Sequence, residues 1–185
     1  MSEDYLSSVS EELRSTLQQI DSERVNALAD LLVKAPRVFV AGAGRSGLMV
    51  RAFAMRLMHL GLETHVVGEV TTPPIAEGDI LVIGSGSGRT PGLVLHAKRA
   101  VASGARVVLV TASQTSAVRA LSTLCVCIPA PTPKGARTGA RTSVQPMGTL
   151  FEQCLLIVLD VVVLLLMERR GDTAERMLGR HANLE

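Results

Sequence analysis

Over residues 3–34, apolar positions recur at helical spacing, with Leu17, Ile20, Val25, Leu28, Leu31 and Leu32 forming one stripe. Asp21 divides this arm into two predicted helices, because its carboxylate can accept the free amide N–H groups of the following turn. Pro36 ends it. From Arg37 the pattern changes to short apolar runs rich in Val and Ile. Arg37–Ala41, Thr64–Val67, Asp79–Gly84, Arg106–Thr111 and Thr123–Ile128 read as five strands. Helices fit near Arg45–Leu60, Pro91–Ser103 and Ser116–Ser122. Continuous apolar strands separated by helices predict a parallel sheet covered on both faces. A full helix between the first two strands demands a crossover, not a hairpin.

Residues 129–146 interrupt this texture with four prolines, two glycines and the cations Lys134, Arg137 and Arg141. A polar connection of that length inside a compact domain is usually functional, so a mobile lid is expected there. A long helix over Val144–Arg170 follows, then a short one leading to Arg180-His181-Ala182-Asn183-Leu184-Glu185. Its most apolar run, Leu155–Met167, is interrupted by Asp160 and falls short of the roughly 20 residues that span a bilayer. It is expected in a core or a subunit interface. With 185 residues in all, one domain is expected: a helical arm over 1–35, the sheet, the lid, and C-terminal helices over 147–185.

Composition removes several classes of function. Aromatic residues make up 2% of the chain, too few for base-stacking readers of single-stranded nucleic acid. The net charge is +2 and the basic residues are scattered, so a nucleic-acid footprint is not expected. Met1–Ser10 is polar and acidic, unlike a signal peptide, which points to the cytoplasm and away from membranes. Cys125, Cys127 and Cys154 lack zinc-ligand spacing and read as core thiols, with a redox pair at Cys125 and Cys127 as the alternative.

The candidate chemistry lies in two loops, each at the carboxyl end of a predicted strand, where open parallel sheets bind ligands. The second loop, Ser85-Gly86-Ser87-Gly88-Arg89-Thr90, precedes Pro91. Proline suits the first position of a helix, which makes Thr90 the N-cap. Glycine-freed amides, the hydroxyls of Ser85, Ser87 and Thr90, and the positive end of a helix dipole make an anion site. Without the lysine of a nucleotide P-loop, it suits a phosphomonoester. The first loop matches GxGxxG at Gly42, Gly44 and Gly47. Glu69 stands further on than the acidic residue of a dinucleotide fingerprint, and NAD binding stays open on this loop alone. Arg45 is a candidate contact to ligand oxygens.

With their flanks, these loops resemble the sugar isomerase (SIS) domain, and more narrowly the 6-phospho-3-hexuloisomerase family. The resemblance rests on Gly42–Gly47, the run Arg51–Gly61, Val67-Gly68-Glu69, Thr71–Ile75, Gln145–Gln153 and Arg180–Glu185, in the family's order over nearly the whole chain. It implies a flavodoxin-like three-layer α/β sandwich with a five-stranded parallel sheet. It also implies isomerisation of D-arabino-hex-3-ulose 6-phosphate to D-fructose 6-phosphate in formaldehyde fixation by the ribulose monophosphate pathway, without metal or organic cofactor. Homotetramers built from dimers, and functional pairing with 3-hexulose-6-phosphate synthase, follow from the same likeness. One departure is Arg89, which stands where many SIS loops carry Glu.

This reaction needs a group that takes a proton from carbon 2 and returns it to carbon 3. A partly desolvated carboxylate serves, since burial raises a carboxyl pKa toward neutrality. Glu152 is the first candidate; Glu69 is the second, or orients substrate. His181, in the C-terminal motif, is the candidate for moving protons between the oxygens, since SIS isomerases often take a histidine from a neighbouring subunit. Gly44, Arg45, Ser46, Ser85, Ser87, Gly88, Thr90 and Glu69 are the expected binding residues. His59 reads as a packed histidine, and His65 and His96 receive no role. Alternatives are another SIS aldose–ketose isomerase, of the arabinose 5-phosphate type, and a non-catalytic sugar-phosphate sensor.

Overall fold

Strands rich in Val and Ile with no polar face can only lie in the middle of a molecule. The computed structural model, which describes residues 4–131 and 143–184, places them so. β1 (Val38–Gly42), β2 (Thr64–Val66), β3 (Ile80–Gly84), β4 (Arg106–Thr111) and β5 (Leu124–Cys127) form one five-stranded sheet in the order β2-β1-β3-β4-β5. All pairings are parallel. This is the flavodoxin-like order, whose switch point lies between β1 and β3.

Helices cover both faces. α1 (Tyr5–Leu17), α2 (Ser22–Val33), α3 (Gly44–His59) and α5 (Thr149–Arg170) build one layer. α4 (Pro91–Ala102) and a 3₁₀ turn at Arg119–Leu121 lie on the other face. Strand residues alternate between the two cores: Val38 and Val40 enter the first, Phe39 and Ala41 the second. Asp21 caps α2 as expected, accepting from the Glu23 and Arg24 amides at 2.9 and 3.3 Å. α6 (Ala174–Leu178) ends the helical part of the chain.

α5 is long and apolar enough to cross a membrane by length and composition, yet half of that stretch is buried in the chain. Leu155, Leu159, Val162 and Leu166 are fully buried or nearly so, and each such side chain contributes about 1.5–3 kcal/mol. Its outer face leaves Val161 and Leu164 exposed.

Two expected elements are corrected. The helix read at Ser116–Ser122 is only the short turn Arg119–Leu121. The helix read from Val144 begins at Thr149, because Pro146 is followed by Met147 at φ 58° and then Gly148, which block a right-handed start. Of the expected lid, residues 132–142 lie outside the described residues.

Candidate active site

In β1 and β3, Gly42 and Gly84 stand opposite each other, so the two glycine loops leave the sheet side by side at the switch point. The first loop turns directly into α3. Gly42 and Gly47 make this possible: a Cβ on Gly42 would lie 2.8 Å from the Gly47 Cα. Only glycines let the helix start so near the strand.

α3 then presents Arg45 at its amino end, where a cation gains nothing from the helix dipole. The guanidinium instead reaches the first turn of α5. Arg45 Nε lies 3.2 Å from Glu152 Oε2, and Arg45 Nη1 donates to Thr149 Oγ1 at 3.1 Å. Thr149 Oγ1 donates in turn to the Pro146 carbonyl at 2.7 Å. The Glu152 side chain is 16% exposed and that of Arg45 54%, so the carboxylate is largely shielded while its partner faces solvent. Thr149 was not singled out from sequence. Its signal was its place within Gly148-Thr149-Leu150-Phe151-Glu152, one helical turn before the carboxylate.

In the second loop, Pro91 opens α4 and Thr90 is the N-cap, its hydroxyl making no capping bond. The Thr90 hydroxyl is thus available to a ligand. Ser87 and Thr90 are half-buried at the mouth. Ser85 differs from expectation in its surroundings: it is buried, and its Oγ accepts from the Gly88 amide at 3.1 Å, bracing the loop. Gly88 is buried at φ 59°, against Ser116, where a side chain would collide. Ser46 is half-buried on the first turn of α3, with Gly44 exposed before it.

Glu69 follows β2, is exposed, and binds Arg51 Nη1 of α3 at 2.7 Å. The two candidate carboxylates therefore attach to α3 through different arginines and share no contact.

His181 is not brought to Glu152 within the chain. Its ring stacks on His59 with centroids 5.2 Å apart, and the neighbouring Arg180 donates to the His59 carbonyl at 3.0 Å. His59 closes α3 whereas Arg45 opens it, roughly 21 Å apart at 1.5 Å per residue. His59 is buried, as expected of a packed histidine, and its pKa is held below the ordinary value by burial, then by His181 and Arg56.

Burial pushes the Cys154 thiol up to about 11 and also raises those of Cys125 and Cys127. Such thiols are poor nucleophiles at neutral pH, which argues against the redox reading. Among the described residues, no group of three or more His, Cys, Asp or Glu side chains could hold a metal ion.

An amide-and-hydroxyl cradle at a helix amino end, beside a shielded carboxylate paired with arginine, can bind a phosphomonoester and move a proton on the carbon skeleton attached to it. Comparison with known proteins agrees with that chemistry. Residues 31–165 match the SIS domain. The chain is 43% identical over 182 residues to the 3-hexulose-6-phosphate isomerase of Bacillus subtilis, covering 98% of each chain. It is 45% identical over 180 residues to that of Mycobacterium gastri, covering 97% of this chain and 89% of the relative. A solved protein of Methanococcus jannaschii, whose structure infers a molecular function of 3-hexulose-6-phosphate isomerase, superposes with TM-score 0.84 at 33% identity, over 98% of this chain and 99% of the other. The chain thus belongs to the SIS domain family, among the 3-hexulose-6-phosphate isomerases.

Proposed function

We propose that this isomerase interconverts D-arabino-hex-3-ulose 6-phosphate and D-fructose 6-phosphate through a 2,3-enediol. The observation that carries this reading is the Glu152–Arg45 pair beside the first glycine loop, which leaves the sheet next to the phosphate-type loop. Amides and hydroxyls of the second loop, Ser87 and Thr90 foremost, hold the phosphate, with Ser85 and Gly88 keeping the loop in shape. Gly44 and Ser46 line the crevice from the other side. Glu152 removes the carbon 2 proton while His181 gives one to the carbon 3 oxygen, which gives the enediol. The same carboxylate returns its proton to carbon 3 as the carbon 2 hydroxyl passes its own to His181, leaving the 2-ketone. Arg45 holds the carboxylate in place and faces the charge that develops on the oxygens. Glu69 orients the sugar.

His181 serves the site of a second subunit. On the outer face of α3, Leu48, Met55 and Met58 are 58%, 46% and 41% exposed. Two copies packing this stripe antiparallel about a twofold axis set the amino end of one α3 beside the carboxyl end of the other. The partner's His181 then comes near this chain's Glu152. A homotetramer uses the exposed face of α5 as well. The reading places the enzyme in the cytoplasm, in formaldehyde fixation by the ribulose monophosphate pathway, after the synthase that makes its substrate.

The test is hydrogen exchange. Fructose 6-phosphate incubated with the protein in deuterated water, without added metal or cofactor, should gain deuterium at carbon 3, with some 3-hexulose phosphate formed. Binding without exchange would instead favour a sugar-phosphate sensor.

A further inference from the structure

Beyond the sheet bond from the Ser85 amide to the Val110 carbonyl, the second glycine loop is tied to the end of β4 and the segment that follows it by bonds to its carbonyl oxygens and from Arg89. The Thr111 hydroxyl donates to the Gly86 carbonyl at 3.1 Å, and the Ala112 amide donates to the same oxygen at 3.2 Å. The Val118 amide donates to the Gly88 carbonyl at 3.2 Å. Arg89 Nη2 donates to the Thr115 carbonyl at 3.3 Å. Thr111 is fully buried, and its oxygen also accepts from the Ser113 amide at 3.1 Å. This single hydroxyl therefore joins the loop to the next turn of chain.

In a trans peptide the carbonyl of one residue and the amide of the next point in opposite directions. Drawing the Gly86 carbonyl toward the end of β4 turns the Ser87 amide away from β4. The other neighbour of β3 in the sheet is β1, which carries the first glycine loop. Among the described residues no backbone carbonyl accepts from the Ser87 amide. We infer that Thr111 is a positioning residue for substrate binding: by fixing the Gly86 peptide plane it aims the Ser87 amide at the substrate phosphate. It touches no substrate itself. This inference rests on the phosphate-binding reading of the loop.

The test compares Thr111→Val, which keeps the shape and loses the hydroxyl, with Thr111→Ser, which keeps the hydroxyl. KM for fructose 6-phosphate and the inhibition constant of inorganic phosphate should rise together in Thr111→Val, by roughly three- to ten-fold, the worth of one aligned hydrogen bond. Its kcat should stay near wild type, and Thr111→Ser should restore both constants. Unchanged constants in Thr111→Val would overturn the inference. So would a fall in kcat shared by both variants, which would mark Thr111 as merely structural. Direct binding of fructose 6-phosphate and of inorganic phosphate to the unaltered protein separates the two levels. If the unaltered protein binds both without isomerising, the isomerase reading fails while Thr111→Val still tests the positioning role by affinity. If it binds neither, the phosphate site and this inference fall together.

Discussion

Replacing Glu152 with glutamine isolates the proton transfer from everything else the side chain does. Glutamine has the same shape and keeps an oxygen that can accept from Arg45, but it cannot take up a proton. The structural loss is one ion pair whose members are 16% and 54% exposed. With the arginine in solvent, such a pair contributes about 0.2–1 kcal/mol. For a chain of this size that shifts Tm by at most about 2–4 °C. The chemical loss is far larger. A positioned general base contributes about 10²–10⁴-fold, or about 2.7–5.4 kcal/mol of barrier. Glu152→Gln should thus lower kcat by about 10²–10⁴-fold, with KM for fructose 6-phosphate and the melting curve little changed. The assay runs from fructose 6-phosphate in deuterated water, reading incorporation at carbon 3 by NMR beside a thermal melt of the same sample. Turnover within about ten-fold of wild type, with a normal melt, would refute the assignment. Glu69→Gln in the same assay would then identify the other carboxylate.

Three further outcomes are expected. Ser87→Ala combined with Thr90→Ala should raise KM roughly ten-fold or more with kcat largely kept, since two hydroxyl contacts to the phosphate are lost; steady-state kinetics checks this. Co-expressed Glu152→Gln and His181→Gln subunits should recover activity that neither variant shows alone, if each site draws His181 from its partner; no recovery would remove the shared site. Native His59 has a pKa below its unfolded value of about 6.5, so the unfolded chain binds the extra proton first. Its contribution to stability is complete above that pH and is lost as the pH falls through it toward the lower native value. Urea midpoints between about pH 7.5 and 5.5 should fall less steeply in His59→Gln than in wild type.

Much of this was legible without coordinates, for reasons that are local. Alternation of Val and Ile with helical spacing depends on near neighbours only, and it announced a parallel sheet with helices on both faces. Asp21 before α2, and Thr90 with Pro91 before α4, mark helix starts through the amides of a single turn. The start of α5 was misplaced because no residue before Thr149 marks in its own type the left-handed backbone at Met147. Nothing in that residue's own chemistry signals this conformation, which the surrounding chain imposes.

What the tertiary structure decided is who meets whom. Arg45 and Thr149 are 104 residues apart, and they meet because α3 and α5 pack side by side. Thr111 looked like the last residue of a strand, and it acquired a partner in Gly86 only through the β3–β4 pairing. His181, read from its motif as an active-site residue, lies against His59 at the far end of α3. Helix and strand periods are written in each segment, since they follow from backbone geometry that every residue shares. Strand order is a property of the whole chain, because it is chosen by how all the apolar faces are buried together, and it alone sets which loops become neighbours.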